Sequence, residues 1–238
     1  MPAMALTDSA GPTEPRRDAS ATAYPSPAKK TLLKDTAYQK LKESILSGQF
    51  PPGSFLAERQ LTGLFGMSKT PIRAALEHLE SEGLVSVSPQ QGIVVRDISP
   101  REIFDVFDIR YALEPHVAQS LAVRHADEQI AQLKSHLAIQ EVVYAQNQVL
   151  EATRLDREFH MLLCGLHGNC EIIRVLDHVW DKIFREVVRI LGQKQGRMQA
   201  SIEEHRAIVD AIGSGNRESA QGKMVEHINH TKQFFSFQ

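Results

Sequence analysis

Apolar side chains recur at helical spacing between residues 66 and 84. Ile72, Leu76 and Leu79 follow one another at intervals of four and three residues, which places them on one face of a helix. The first turns of this helix carry hydroxyl and basic side chains and no acidic ones: Ser68, Lys69, Thr70 and Arg73. Because the amino end of a helix attracts anions, this composition is typical of a helix that begins against phosphate.

The flanking segments extend this helix into a larger motif. A shorter apolar face precedes it, formed by Leu61, Leu64 and Phe65. Gly66 is expected to end that helix, and two helices joined so closely predict a helix-turn-helix. Residues 85–87 and 93–95 then read as strands on either side of the turn sequence at residues 88–92. A helix of this size beside a hairpin wing is a known way to read the major groove of duplex DNA.

The chain before this motif divides into two parts. Residues 1–30 are rich in Ala, Pro, Ser and Thr and have almost no large apolar side chains, so they are expected to form a flexible tail. Ala37, Leu41 and Ile45 then share one helical face, and a short strand is expected at residues 55–56. Together these elements predict a DNA-binding domain over residues 31–97.

From residue 98 onward the pattern is helical almost throughout. Ser99 precedes Pro100 in the manner of a helix cap. About seven groups of apolar residues follow at spacings of three or four, and they begin at Phe104, Val117, Ile130, Leu155, Ile172, Ile202 and Met224. The predicted fold is therefore mainly α, with an N-terminal winged helix-turn-helix and a C-terminal all-helical bundle over residues 98–238.

Charge and cysteine content narrow the class of protein. The 238 residues carry a formal net charge of −2, but residues 28–97 hold nine Lys and Arg against seven Asp and Glu, so the basic excess lies in the predicted DNA-binding part. The two cysteines, Cys164 and Cys170, do not form a disulfide framework. Neither a membrane span nor a signal peptide is evident, so a cytoplasmic protein without a membrane partner is expected.

Four residues of the helical half have the spacing of a metal site. Asp156 and His160 lie one helical turn apart, next to an apolar stripe, while His205 and His227 lie on the buried stripes of two later helices. Ten histidines in the chain make buried, hydrogen-bonded histidines an alternative interpretation. His136 and His178 have polar neighbours and are assigned to polar faces.

The N-terminal motif resembles a known family. AERQLTGLFGMSKTPIRAALEHLESEGLVSVSPQQGIVV at residues 57–95 is similar to the winged helix of the GntR superfamily of bacterial transcription regulators. Lys69 stands where that family usually has Arg, and an ammonium lacks the two-pronged fork that reads guanine. The resemblance implies a homodimer on a short palindromic double-stranded DNA operator, contacted by Arg59, Ser68, Lys69, Thr70, Arg73 and Gly92.

The helical half resembles a ligand-binding domain. Residues from Ser99 onward are similar to the FCD domain of the FadR-like branch, in which a D-x-x-x-H pair and two later histidines bind a divalent metal. Asp156, His160, His205 and His227 match that pattern, with Zn²⁺ as the expected metal and Ni²⁺ or Mn²⁺ as alternatives. The resemblance also implies a small carboxylic-acid effector near Arg110, with Asn169 and Arg185 as further candidates.

These features favour a transcription regulator, most often a repressor in this family, whose operator binding responds to a small carboxylic acid. Two alternatives remain at this point. The metal itself could be the signal, or the same four ligands could activate water in a metal-dependent hydrolase. The hydrolase leaves the DNA-binding motif unexplained and has no obvious general base, so a protein that is not an enzyme is expected.

Overall fold

The computed structural model describes residues 33–88, 92–193 and 196–235. Helices dominate this part of the chain, with a small three-stranded sheet near its beginning. The predicted fold class is thus confirmed. The expected flexible tail at residues 1–30 lies outside the described residues, as does the tip of the wing at residues 89–91.

The N-terminal elements form a winged helix-turn-helix. Their order is α1 (Leu33–Leu46), β1 (Phe55–Leu56), α2 (Glu58–Phe65), α3 (Lys69–Ser81), β2 (Val85–Ser88) and β3 (Gly92–Val95). Gly66 ends α2 in the left-handed conformation at φ 63°, which a residue without a side chain adopts at least cost. This backbone turn allows α3 to begin three residues later. We call residues 33–95 the winged-helix segment.

The wing is an antiparallel hairpin with one extra strand. β3 lies in the centre, paired with β1 on one side and β2 on the other. Ser88 pairs with Gly92, so the hairpin is closed up to the residues that border the wing tip. Ile93 and Val95 point into the core of the segment, whereas Gly92 is exposed.

Six helices follow within the described residues. They are α4 (Pro100–Arg124), α5 (Asp127–Ala145), α6 (Val149–His167), α7 (Cys170–Gln193), α8 (Arg197–Gly213) and α9 (Arg217–Gln233). We call residues 100–235 the helical segment. Within this segment, α9 packs most extensively against α4 and α8.

The sequence prediction of about seven helices was wrong by one. Its first two apolar groups belong to a single helix, α4, which continues through Pro115. Proline removes one backbone hydrogen bond and normally breaks a helix. Here Phe107 before it and Val117 and Leu121 after it are all buried in the same core, and this burial keeps the helix continuous.

The two segments have separate apolar cores. One core consists of winged-helix residues such as Leu41, Ile72 and Leu79. The other fills the helical segment around Phe107, Phe159 and Trp180. Not every residue of the predicted apolar stripes is buried, since Leu64 and Tyr111 are about half exposed. Within the described residues, no helix has the length and apolar character needed to cross a membrane.

Candidate metal centre and DNA-reading helix

Asp156, His160, His205 and His227 converge inside the helical segment. α6 supplies the first two from successive turns, and α8 and α9 supply one histidine each. One ligand atom from each residue lies within 4.8 Å of the others, and all four side chains are buried. The spacing seen in the sequence therefore corresponds to a single point in space where three helices meet.

In each of the three histidines, another side chain contacts Nδ1, the ring nitrogen that faces away from the centre of the cluster. Nδ1 of His205 lies 3.0 Å from Oε1 of Gln140 on α5. An amide oxygen only accepts, so Nδ1 carries the proton and Nε2 keeps its lone pair. That Nε2 is buried, has no hydrogen-bond partner among the described residues, and lies 3.4 Å from Oδ1 of Asp156. A buried nitrogen in this state is a suitable ligand for a cation.

The other two rings contact carboxylates that are themselves held by arginines. Nδ1 of His227 lies 2.7 Å from Glu204, and Arg197 donates to both oxygens of that carboxylate at 2.9 and 2.8 Å. On the opposite side, Nδ1 of His160 lies 2.5 Å from Glu114, which pairs with Arg110. Nε2 of His160 and Nε2 of His227 then face each other at 3.1 Å. Carboxylate partners of this kind fix the orientation of metal-binding imidazoles and raise their basicity.

The protonation states around the cluster suit a cation. Burial, together with the neighbouring imidazoles, lowers the pKa of His205 well below its usual value. Burial also lowers the pKa of His227 to about 4, although Glu204 opposes the shift. Burial by itself raises the pKa of Glu204, but hydrogen bonds from His227 and Arg197 outweigh it and hold that pKa at about 2. Neutral imidazoles and ionised carboxylates are the forms that bind divalent metals.

The donor set therefore fits a divalent metal. Three imidazole nitrogens and one carboxylate oxygen suit Zn²⁺, Ni²⁺ or Mn²⁺, and Nε2 of His205 has no hydrogen-bond partner in the described part of the chain. The fourth residue, Asp156, accepts a hydrogen bond from Ser201 at 3.2 Å, which orients its carboxylate.

The partners of the histidines were missed in the sequence. They are Glu114, Gln140, Arg197, Ser201 and Glu204, and four of the five are buried. Gln140 is fully buried because it continues the apolar stripe of Leu133 and Leu137. His136, which was expected on a polar face, is half-buried, and its Nε2 lies 2.9 Å from the carbonyl oxygen of Leu155.

The three effector candidates occupy different places. Arg110 is buried beside the cluster, with Nη2 3.3 Å from Nε2 of His160 and its guanidinium 4.2 Å from the ring of Trp180. Asn169 is exposed and accepts hydrogen bonds from the first amides of α7, as a helix cap. Arg185 donates to the carbonyl oxygen of Arg96 at 2.7 Å. The structure brings only Arg110 to the cluster.

The residues predicted to contact DNA lie on three elements of the winged-helix segment. Arg59 lies in the first turn of α2, and the others lie at the start of α3 or at the wing: Ser68, Lys69, Thr70, Arg73 and Gly92. All six are exposed. The first turn of α3 has no acidic residue, although Arg73 pairs with Glu58 of α2 at 2.8 Å. Ser68 occupies the N-cap position, but its hydroxyl makes no capping hydrogen bond there and remains available.

Both halves match known protein families. Residues 33–95 match the family described as "Bacterial regulatory proteins, gntR family", and residues 105–230 match the "FCD domain" family. The HTH-type transcriptional regulator YdhC of Bacillus subtilis is 31% identical over 196 residues, which cover 81% of this chain and 86% of that protein. The transcriptional repressor RspR of Escherichia coli is 26% identical over 197 residues, with 80% and 83% covered.

Solved structures share the same fold. E. coli McbR/YncC superimposes with a TM-score of 0.76 at 19% identity, over 86% of this chain and 97% of that protein. The chain belongs to the gntR family of bacterial regulatory proteins and carries an FCD domain after its winged helix. It is accordingly a DNA-binding transcriptional regulator and not an enzyme, which removes the hydrolase from consideration.

Proposed function

We propose that this regulator is a metal-containing repressor whose operator affinity responds to a small carboxylic acid. In this proposal residues 31–97 read a palindromic operator as part of a homodimer in the cytoplasm, and residues 98–238 hold the metal and the effector. The observation that carries the proposal is the convergence of four buried ligand atoms within 4.8 Å, each with a partner that orients it. Repression is supported by the relative RspR, which is described as a repressor.

The DNA part of the proposal rests on the exposed amino end of α3. Ser68, Lys69 and Thr70 lie where the helix dipole and free backbone amides favour a phosphate. Arg73 follows one turn later, in reach of the base edges once α3 enters the major groove. Arg59 and Gly92 extend the contact to the α2 side and to the wing.

The effector part rests on the position of Arg110. A guanidinium next to the metal cluster suits a carboxylate that contacts both. Its Nε is already hydrogen-bonded to Glu114 at 2.6 Å, so an acid has to share this group or displace Glu114 from it. Displacement also releases Nδ1 of His160, and this links acid binding to the metal ligands.

The pairing of the arginines also supports a second candidate, in which the metal alone is the signal. Arg110 and Arg197 are both buried and both bound to glutamates of the cluster. If these ion pairs persist when an acid is present, neither guanidinium is available to bind its carboxylate. Operator affinity then depends on metal occupancy and is indifferent to carboxylic acids.

Metal content is the first test. Protein purified without chelator or affinity tag is expected to contain about one divalent metal per chain, and His205→Ala is expected to lose most of it because a buried ligand is removed. His116→Ala is the matched control, since His116 is an exposed histidine of α4. Elemental analysis of the three proteins decides: equal metal in wild type and His205→Ala, or none in either, refutes the metal site.

A further inference from the structure

The winged-helix and helical segments meet through charged side chains. Their apolar cores are separate, so the contact between them is not held by a shared hydrophobic interior. A cleft of about 370 Å³ lies at this junction, between α1, α6 and α7. Because no shared core fixes the two segments, the polar contacts across this joint determine their relative position.

One of these contacts is buried on both sides. Nζ of Lys42 on α1 forms an ion pair with the carboxylate of Asp181 on α7, and the two side chains are only 11% and 3% exposed. Exposed ion pairs are weakened by solvent and salt, whereas a buried pair is sensitive to the loss of either partner. Lys42 and Asp181 therefore form the strongest candidate for a specific joint.

Each member of the Lys42–Asp181 pair also contacts a further charged side chain. On the DNA side, Lys42 lies 3.2 Å from Glu82, the residue that directly follows α3. On the other side, Nη2 of Arg157 lies 2.9 Å from Oδ1 of Asp181. Arg157 directly follows the candidate metal ligand Asp156 on α6. We call Glu82, Lys42, Asp181 and Arg157 the charge relay.

The two ends of the charge relay lie next to the helices that carry the two proposed sites. One end is attached to the helix that begins with the predicted DNA contacts, and the other to the helix that carries two of the four metal ligands. A shift of α6 by a fraction of a turn moves Arg157 and thus changes the contacts of Asp181. Since Asp181 is almost completely buried, it has little surface on which to exchange partners with water, and we expect the change to reach Lys42.

We propose that the charge relay positions the winged-helix segment according to the occupancy of the metal cluster, with Asp181 as its central residue. This inference rests on the proposed function, because it needs the cluster to bind a metal. It adds the route by which binding in the helical segment reaches α3. Spatial continuity alone does not establish such coupling, so the relay has to be tested by substitution.

The test uses Zn²⁺ alone as the probe and two substitutions at the same joint. Asp181→Asn removes the central charge while retaining the shape of the side chain. Arg154→Gln is the control, because it removes an exposed bridge from α6 to Glu43 of α1 that spans the same joint. Lys42→Gln serves as the second relay variant, and circular dichroism verifies that each protein is folded. Operator affinity is measured with and without Zn²⁺ in every protein.

In wild type the ratio of the two operator dissociation constants is expected to be roughly 5- to 150-fold. The ratio should fall towards one in Asp181→Asn and Lys42→Gln and stay at the wild-type value in Arg154→Gln, while all variants still bind Zn²⁺. A full response in both relay variants overturns the inference. Loss of Zn²⁺ binding in Asp181→Asn overturns it as well, because the residue then serves the cluster itself.

A distance measurement separates failure of the relay from failure of the proposed function. Spin labels at Glu77 on α3 and Lys134 on α5, in a Cys170→Ser background, report the position of the two segments without DNA; Cys164 is buried and stays unlabelled. If wild type neither binds Zn²⁺ nor responds to it, the proposed function fails. If wild type does bind Zn²⁺ and respond to it, the distance distribution decides the relay: a change on adding Zn²⁺ in wild type and Arg154→Gln but not in Asp181→Asn supports it, and the same change in all three proteins overturns it.

Discussion

At the scale of single residues, the cluster depends on which nitrogen of each imidazole carries the proton. Gln140, Glu204 and Glu114 each face an Nδ1 atom, so each directs an Nε2 atom to the centre. Gln140 differs from the two glutamates because it is neutral and donates its own amide to the carbonyl oxygen of Leu155 at 2.8 Å. It can therefore be replaced without changing the charge of the site.

Gln140→Leu should weaken metal binding while the protein stays folded. His205 loses the acceptor that fixes its ring, and loss of such partners typically reduces metal affinity by about 10- to 100-fold. Competition with a chromophoric zinc chelator measures the change. Gln140→Glu restores an acceptor and should recover most of the affinity; equal affinity in wild type and Gln140→Leu contradicts the orienting role.

The sequence could reveal the ligands but not the groups behind them. Asp156 and His160 are visible because helical spacing alone places them together, and His205 and His227 lie on apolar stripes. The partners come from other helices and are brought close only by tertiary packing. Arg110 and Glu114 are four residues apart on α4, a spacing equally typical of an ordinary surface ion pair, so nothing in the sequence distinguishes them.

At the scale of elements, two helix starts with serine caps behave differently. Ser99 opens α4 with a complete capping box. Its hydroxyl accepts a hydrogen bond from the amide of Glu102, and the carboxylate of Glu102 accepts one from the amide of Ser99. Ser68 opens α3 without a capping bond. One serine stabilises its helix, and the other leaves an amino end with unsatisfied donors.

Ser99→Ala should lower the free energy of unfolding by about 0.5–2 kcal/mol, the usual effect of losing an N-cap hydroxyl. Ser68→Ala is the matched control and should have a smaller effect on stability, because no capping bond is lost there. Urea unfolding followed by circular dichroism gives both values. A larger loss in Ser68→Ala than in Ser99→Ala is inconsistent with these assignments.

α3 should bind DNA through Arg73 and not through Glu77. Arg73→Ala is expected to weaken operator binding, and its effect on the slope of log affinity against log salt tells which contact is lost: a fall of about one indicates a phosphate contact. Glu77→Ala, one turn later on the same helix, removes an exposed anion and should not weaken binding. Fluorescence anisotropy at several salt concentrations provides the comparison; unchanged binding in Arg73→Ala refutes the placement of α3.

At the scale of the whole molecule, the cluster draws ligands from three helices that pack around α4. α6 provides two of the proposed ligands, and α8 and α9 provide one each, so a bound metal would connect these three helices. Separate cores allow the winged-helix segment to respond as a unit. Under the proposed function, metal, effector and operator are coupled reciprocally, typically by about 1–3 kcal/mol.

Apolar periodicity in the sequence predicted these elements well but not all of their boundaries. α1, α3 and the wing strands follow it closely, because each has a single buried face. α4 departs from it at Pro115, where burial on both sides outweighs the lost backbone hydrogen bond. The charged joint between the segments has no periodic signal, since Lys42 and Asp181 are far apart in the chain.

The most direct test of the whole account is operator affinity in wild type, His227→Ala and Arg110→Ala. It is measured in three states: without metal, with Zn²⁺, and with Zn²⁺ plus an acid that a thermal-shift screen has identified. Wild type should release the operator when the acid is added, whereas both variants should still bind DNA and ignore the acid. A response to Zn²⁺ that the acid does not alter selects the metal as the signal. Variants that respond to the acid as fully as wild type, or a wild type that responds to neither ligand, contradict the account.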